Sequence, residues 1–259
     1  MFFAIDVGNT QIACGLFKNN NIIATFRVRT EKNRTSDELG MLFINFFNHF
    51  NINIGHIEGI AISNVVPPLT LTLGLMCRKY FHKEPFFIGP GIKTGMPILY
   101  DNPKEVGADR IVNAVAAYKL YKKSLVVIDF GTATTFDCVS KRGEYIGGVI
   151  IPGIEISLEA LAERTAKLPK IELIRPEKVI GKNTVSAIQS GIIFGYAGMV
   201  DAICQKISQE MNERNIVFIA TGGLAGVIAK ETSYIKDVEP DLTLKGLKLL
   251  YEINKEVLI

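Results

Sequence analysis

Two short strings carry chemistry-bearing residues in one arrangement: "DVGNT" at residues 6–10 and "DFGTA" at residues 129–133. In each, an aspartate closes an apolar run, glycine follows two positions later, and small hydroxyl or amide residues come next. Glycine lets the chain turn tightly and lets a ligand reach main-chain N–H groups with no Cβ in the way. Asn9, Thr10 and Thr132 add side-chain donors, and Asp6 and Asp129 suit a place beside cations that offset phosphate charge. Two such turns facing one cleft would grip a polyphosphate from both sides. One copy alone reads equally well as a hairpin made of good turn residues. Recurrence at equivalent places in the chain favours the phosphate-binding reading.

The string "DFG" also matches the protein-kinase triplet whose aspartate holds magnesium. That reading requires a His-Arg-Asp loop upstream and a Val-Ala-Ile-Lys-type lysine, and the chain has neither. "GPGIKTG" (residues 89–95) lacks the adjacent Gly-Lys-Ser/Thr of a P-loop and reads as a structured loop after a strand. "ATGGLAG" (residues 220–226) follows a buried strand, and its paired glycines either receive a base or ribose or permit close packing. "GADR" (residues 107–110) stands where a helix begins. Asp109 is there either a charge favoured by the helix dipole or a carboxylate that orients a substrate hydroxyl, with Arg110 clamping an anion. Spacing leaves both open.

The elements that must position these residues repeat. "FFAIDVG", "QIACGLF" and "IIATFRVRT" read as three strands punctuated by glycine and asparagine. "TSDELGMLFINFFNHF" reads as a helix capped by Ser36 or Asp37, "IEGIAISNVV" as a buried strand, "PPLTLTLGLMCRKYF" as a helix and "PFFIG" as a strand. The helix "ADRIVNAVAAYKLY" closes the first half. The pattern then restarts with the strands "SLVVIDFG", "ATTFDCVS" and "EYIGGVIIPG". A long helix begins at Thr184, with Val185, Ile188, Ile192, Tyr196, Met199, Ile203 and Ile207 as its expected core face. "IVFIATGG" is a further strand and "LKGLKLLYEINKEV" a closing helix. From position 6 to position 129 is 123 residues, near half of the 259-residue chain. A duplicated α/β unit with a cleft between the copies is the expected fold, divided into residues 1–118 and 119–259.

Composition narrows the function classes. Hydrophobic residues make up 48% and charged residues 21%, which suits a globular chain and excludes extensive disorder. A net charge of +3 with both signs interspersed is too weak for a nucleic-acid surface. Cys14, Cys77, Cys138 and Cys204 are scattered without metal-ligand spacing, as in a reducing cytoplasm. The uncharged run 183–200 is long enough for a membrane span, but its polar residues and glycines read better as a buried helix. A soluble cytoplasmic protein without nucleic-acid or membrane partner is expected.

Taken in order, "DVGNT", "GPGIKTG", "GADR", "DFGTATTFD" and "ATGGLA" closely resemble the type III pantothenate kinases, members of the acetate and sugar kinase, Hsp70 and actin superfamily. "SNVVPP" and "NTVSAIQSG" also look like family segments, so the resemblance spans nearly the whole chain. It implies two ribonuclease H-like (actin-like ATPase) halves and ATP-dependent phosphorylation of pantothenate to 4′-phosphopantothenate, the first step of coenzyme A biosynthesis. It also implies a homodimer, K+ or NH4+, and a divalent metal (Mg2+) carried with ATP. By the same resemblance Asp6, Val7, Gly8, Asn9, Thr10, Gln11, Ile12 and Ala13 form the first phosphate-binding segment, and Thr132 is a further ATP contact. Asp109 matches the catalytic base, and Tyr100, Gly107, Ala108, Arg110 and Thr184 match pantothenate-contacting positions. Asp129 matches the monovalent-cation ligand. An Hsp70- or actin-type switch would need added regions for which 259 residues leave little room. A non-enzymatic regulatory relative would not need the intact Asp109, and another acid- or sugar-directed kinase is the nearest enzymatic alternative.

Overall fold

A computed structural model describes residues 1–257. The chain opens with strands β1 (Phe2–Val7), β2 (Gln11–Lys18) and β3 (Asn21–Arg29). It continues through α1 (Ser36–His49), β4 (Gly59–Asn64), α2 (Thr70–Met76), β5 (Phe86–Phe87) and α3 (Ala108–Tyr121). Strands β6 (Leu125–Phe130), β7 (Ala133–Val139) and β8 (Tyr145–Pro152) follow, then α4 (Ile154–Glu163) and α5 (Thr184–Met211). Last come β9 (Val217–Thr221), α6 (Ala225–Ile228), β10 (Asp237–Val238) and α7 (Leu242–Asn254).

These strands make two five-stranded mixed sheets, ordered β3-β2-β1-β4-β5 and β8-β7-β6-β9-β10. The connectivity is the same in both. A three-strand meander supplies one edge, and two strands parallel to its first member supply the other. The α/β duplication read from the sequence is therefore present as two copies of one sheet topology.

Two compact units result. The first holds Met1–Met96, Asp101–Ala116 and the chain from Leu242 onward, and the second holds Pro97–Tyr100 and Ala117–Asp241. The closing helix α7 thus groups with the first sheet although it follows the second in sequence. Its reason is packing: Gly15 of β2 leaves room for Leu244, whose Cδ1 would stand 2.8 Å from a Cβ there, and Gly246 lets α7 approach Val112 of α3.

Strand alternation decides which residues each sheet buries. Phe3, Ile5 and Val7 of β1 enter a core with Phe43 and Phe47 of α1 and Leu73 and Met76 of α2. In the second unit Val126, Ile128 and Phe130 of β6 join Phe136 and Cys138 of β7 and Tyr196, Val200 and Cys204 of α5. Asp6 and Asp129 stand out of phase with these residues, so each side chain leaves on the sheet face opposite that core.

Several local expectations need correction. Helix α1 is capped by Thr35, one residue before Ser36 and two before Asp37, the expected caps. Glu38 selects it: Thr35 Oγ1 accepts from the Glu38 N–H at 3.2 Å while Glu38 accepts from the Thr35 N–H at 2.8 Å. The expected helix from Pro67 to Phe81 is a 3-10 turn (Pro67–Leu69), then α2, then a π-type turn (Cys77–Phe81) ended by left-handed His82. On α5 the buried stripe is Ile193, Tyr196, Ala197, Val200, Cys204 and Ile207. Val185 and Met199, placed in the core by periodicity, are 42% and 36% exposed. This helix is apolar on more than one face, so periodicity cannot choose between them. Among the described residues it is the one helix long and apolar enough to cross a membrane, and its buried stripe packs on the second sheet.

The Thr35 cap gives a direct check. Thr35→Ala removes the reciprocal pair and lowers the unfolding free energy by about 1 kcal/mol, read from the denaturant midpoint, whereas Thr35→Ser restores it. An unchanged midpoint for Thr35→Ala contradicts this account of the helix start.

Candidate active site

In the first unit, the segment following β1 is a turn of four residues between the paired Val7 and Ile12. The Gly8 N–H donates to the Gln11 carbonyl at 3.0 Å, and a Cβ at Gly8 would lie 3.1 Å from that oxygen. Thr30 locks the turn from outside: its hydroxyl donates to the Gly8 carbonyl at 2.7 Å and its N–H to the Thr10 carbonyl at 3.0 Å. Asn9, Thr10 and Gln11 are exposed at the tip. Val7 and Ile12 are core residues held in the paired strands β1 and β2, so within 6–13 they shape the turn and the exposed tip is what faces a ligand. Ser63 of β4 lies in parallel register with Asp6, and its buried Oγ has no hydrogen-bond partner.

The same unit carries residues 107–110. Gly107 accepts from the Ile111 N–H at 3.3 Å and so starts α3, and Asp109 lies in the first turn. Asp109 Oδ1 accepts from the Arg110 N–H at 2.9 Å. A Cβ on Gly107 would sit 2.5 Å from that same oxygen, so glycine is what makes room for the carboxylate. Burial pushes the Asp109 carboxyl above its usual range, only partly offset by the Arg110 N–H and guanidinium. A solvated helix-end charge would show the opposite tendency. Arg110 itself is 7% exposed.

In the second unit, the turn after β6 is one residue shorter, with three residues between the paired Phe130 and Thr134. The Gly131 N–H donates to the Ala133 carbonyl at 3.2 Å, the counterpart of the Gly8–Gln11 bond. Gly153, which follows β8, lies close behind this turn: a Cβ there would meet the Gly131 carbonyl at 2.5 Å and the Thr132 carbonyl nearer still. Thr221 of β9 stands in register with Asp129 as Ser63 does with Asp6. Of the paired glycines in "ATGGLAG", the first serves the close-packing role read for them. Gly222, at φ +93°, is there for close approach, since a Cβ would stand 2.6 Å from both Asp129 Oδ1 and the Phe130 carbonyl; Gly223 faces open space. The Asp129 carboxylate and the Phe130 carbonyl thus stand side by side, and oxygen donors of this kind suit a hard cation.

Tyr100 ends the short segment Pro97–Tyr100, which belongs to the second unit because Tyr145 pairs with it. The Tyr145 N–H donates to the Pro97 carbonyl at 2.9 Å, and the Leu99 N–H donates to the Tyr145 carbonyl at 2.8 Å. Thr184 begins α5 behind the Asn183 capping box and is exposed. It lines a cavity of about 640 Å³ with Leu161, Leu168, Ile188 and Ile192. The "GPGIKTG" segment is a structured loop in the first unit: Asn254 accepts from the Lys93 N–H at 2.9 Å and donates to the Lys93 carbonyl at 2.8 Å.

Sequence reading passed over Ser63, Thr221 and Gly153. The first two had a signal: each is the fifth residue of the strand that runs parallel to an aspartate-bearing strand.

The state of Asp109 can be measured without any ligand. A carbon-13 NMR titration of its carboxyl has a midpoint above the ordinary aspartate value of about 3.9. A midpoint at or below that value contradicts the desolvation described above.

Comparison with known proteins places the chain in a family. A family model described as type III pantothenate kinase matches residues 2–206. A type III pantothenate kinase from Pelobacter propionicus is 52% identical over 255 residues, covering 98% of this chain and 100% of the relative. Among solved structures, a Baf-family protein from Campylobacter jejuni aligns with a TM-score of 0.61 at 17% identity, over 98% of this chain and 99% of its own. An inorganic polyphosphate/ATP-glucomannokinase from Arthrobacter sp. strain KM aligns with a TM-score of 0.52 at 14% identity, over 98% of each chain. At such identities these two speak for the fold alone. With the family model over most of its length and half its residues shared with a curated member, the chain belongs to the type III pantothenate kinase family.

Proposed function

We propose that the ATP-dependent phosphorylation of pantothenate, the activity of this family in coenzyme A synthesis, is carried out here by Asp109 together with the two glycine turns. The observation that carries the proposal is the Asp109 carboxylate, raised by burial at the start of a helix, with Gly107 clearing its space. Phosphoryl transfer has a loose transition state, so positioning and charge stabilisation dominate. The tip of the Asp6–Ala13 segment and Thr132 bind the phosphates of ATP, with Asn9 and Thr10 as side-chain donors. Asp6 would stand beside the Mg2+ that travels with the nucleotide and whose charge would offset that of the phosphates.

Asp109 orients the pantothenate hydroxyl in line with the γ-phosphorus. As the new O–P bond forms and the bond to the β-phosphate oxygen breaks, the hydroxyl proton passes to Asp109 and ADP leaves with the bonding electron pair. A carboxylate held above its usual pKa is the better acceptor for a proton released late in such a transfer. Tyr100, Gly107, Ala108, Arg110 and Thr184 contact pantothenate, with Arg110 as the partner of its carboxylate. Asp129, with the Phe130 carbonyl, holds K+ or NH4+, whose charge offsets that of the phosphates.

The protein acts as a homodimer in the cytoplasm. Exposed apolar side chains on the second unit support the first point, Ile174, Val179 and Ile180 among them, the last 83% exposed. Four buried free thiols, three of them pushed well up in pKa by burial, suit a reducing compartment.

Purified protein with ATP, Mg2+ and K+ releases ADP when given pantothenate and not when given a panel of sugars and other acids; the reverse selectivity overturns the reading. Asp109→Asn reduces kcat by at least about 100-fold while the circular dichroism spectrum and melting temperature are retained. Near-normal turnover in that variant removes Asp109 from the base role. Because the base must be ionised and its pKa is raised, kcat/KM falls as pH drops through a value above that of an ordinary aspartate. An acid limb at the ordinary value or below contradicts the assignment.

A further inference from the structure

We infer that Asp137 is a buried positioning residue: through Tyr145 it sets the ring of Tyr100, and it thereby governs affinity for the phosphoryl acceptor without touching it. The inference rests on the reading of Tyr100 as a pantothenate contact.

The argument begins with strand register. On β7 the residues Thr134, Phe136 and Cys138 alternate with Thr135 and Asp137, and Phe136 and Cys138 lie in the core beneath α5. Thr135 and Asp137 therefore project from the opposite face of the sheet. Thr135 pairs with Asp129 and Asp137 with Val127 in the antiparallel register, so Thr135 shares a face with the Asp129 carboxylate. A polar row thus runs across this face away from Asp129.

Each link in the row is a short contact. The Thr135 hydroxyl donates to Asp137 Oδ2 at 3.0 Å, and the Tyr145 hydroxyl donates to Asp137 Oδ1 at 2.8 Å. Asp137 and Tyr145 are both fully buried. A carboxylate deprived of water is costly unless hydrogen-bonded, so a hydroxyl on each oxygen holds it in one orientation. Tyr145 is held at both ends. Its hydroxyl is fixed by Asp137, while its main chain pairs with Pro97 and Leu99 in the segment that ends at Tyr100. The Tyr145 ring then meets the Tyr100 ring, with centroids 6.3 Å apart and planes tilted by 52°, in the range of favourable aromatic pairs. Tyr100 is only partly buried. Its ring thus rests on a neighbour whose position is fixed by a buried carboxylate.

Sheet stability alone does not call for this arrangement. A Phe at 145 and an apolar residue at 137 would fill the same space without burying a charge. What the pair adds is a defined orientation for the aromatic ring under Tyr100, where aromatic packing alone would leave it freer.

The chain contains no tryptophan, so Tyr100→Trp introduces a single fluorescent reporter at this position. Adding Tyr145→Phe or Asp137→Asn to that protein raises acrylamide quenching of the reporter. Unchanged quenching in both double variants overturns the positioning role, whatever Tyr100 binds. In the otherwise native enzyme, Tyr145→Phe raises KM for pantothenate about 5-fold, with kcat and KM for ATP close to wild type. Equal losses in all three parameters would mark a merely structural role and overturn the inference. If Asp137→Asn does not fold, Tyr145→Phe, which lacks one oxygen, decides alone. Tyr100→Ala separates the two readings. A normal KM for pantothenate in that variant rejects the Tyr100 contact, while the quenching result still judges the Asp137–Tyr145 support.

Discussion

Each sheet is organised around a carboxylate at the end of a strand that is paired on both sides. Inside such a strand every main-chain donor and acceptor is used by the ladder, and nothing is left for a ligand. Only where the strand stops does the backbone become available, and there a glycine must follow if the chain is to turn without a Cβ in the ligand's path. Asp6 and Asp129 are each the fifth residue of their strand, and each is flanked by an antiparallel partner and a parallel one. Their direction is fixed as well. A slip of one residue would turn the carboxylate into an apolar core and bring Ile5 or Ile128 to the other face. Core packing therefore selects the register, and the register aims the aspartate.

Much of this was legible in the sequence because it depends on local signals. Apolar runs ended by Asp-x-Gly located β1 and β6, and their recurrence 123 residues apart announced the duplication. The start of α3 at "GADR" was equally plain, although whether Asp109 was a solvated helix charge or a half-buried, desolvated carboxylate was not. That distinction needed the space around it, which Gly107 clears. The cap of α1 was misplaced by one or two residues because Thr35, Ser36 and Asp37 are all capping residues and only the Glu38 contact separates them.

What stayed hidden depends on long-range packing. No local pattern sends α7 back to β1, since its docking depends on Gly15 and Gly246, far away in sequence and bland by themselves. The buried face of α5 could not be chosen among several apolar faces. Ser63 and Thr221 gain meaning only from their register beside the aspartates. Asp137 closes the quoted string "DFGTATTFD", yet its value comes from Tyr145, eight residues on and across a bulged strand pair. Structures at 14% and 17% identity share the architecture, so the fold alone does not specify the chemistry. The chemistry lies in the few side chains that turns and registers hold in place.

Amide hydrogen exchange with and without a non-hydrolysable ATP analogue and Mg2+ tests most directly whether both glycine turns serve the nucleotide. The account predicts slowed exchange at Gly8–Gln11 and at Gly131–Ala133 together, from one binding event with one concentration dependence. Slowing confined to one turn, with the other unaffected at saturation, would contradict the duplicated phosphate-binding role.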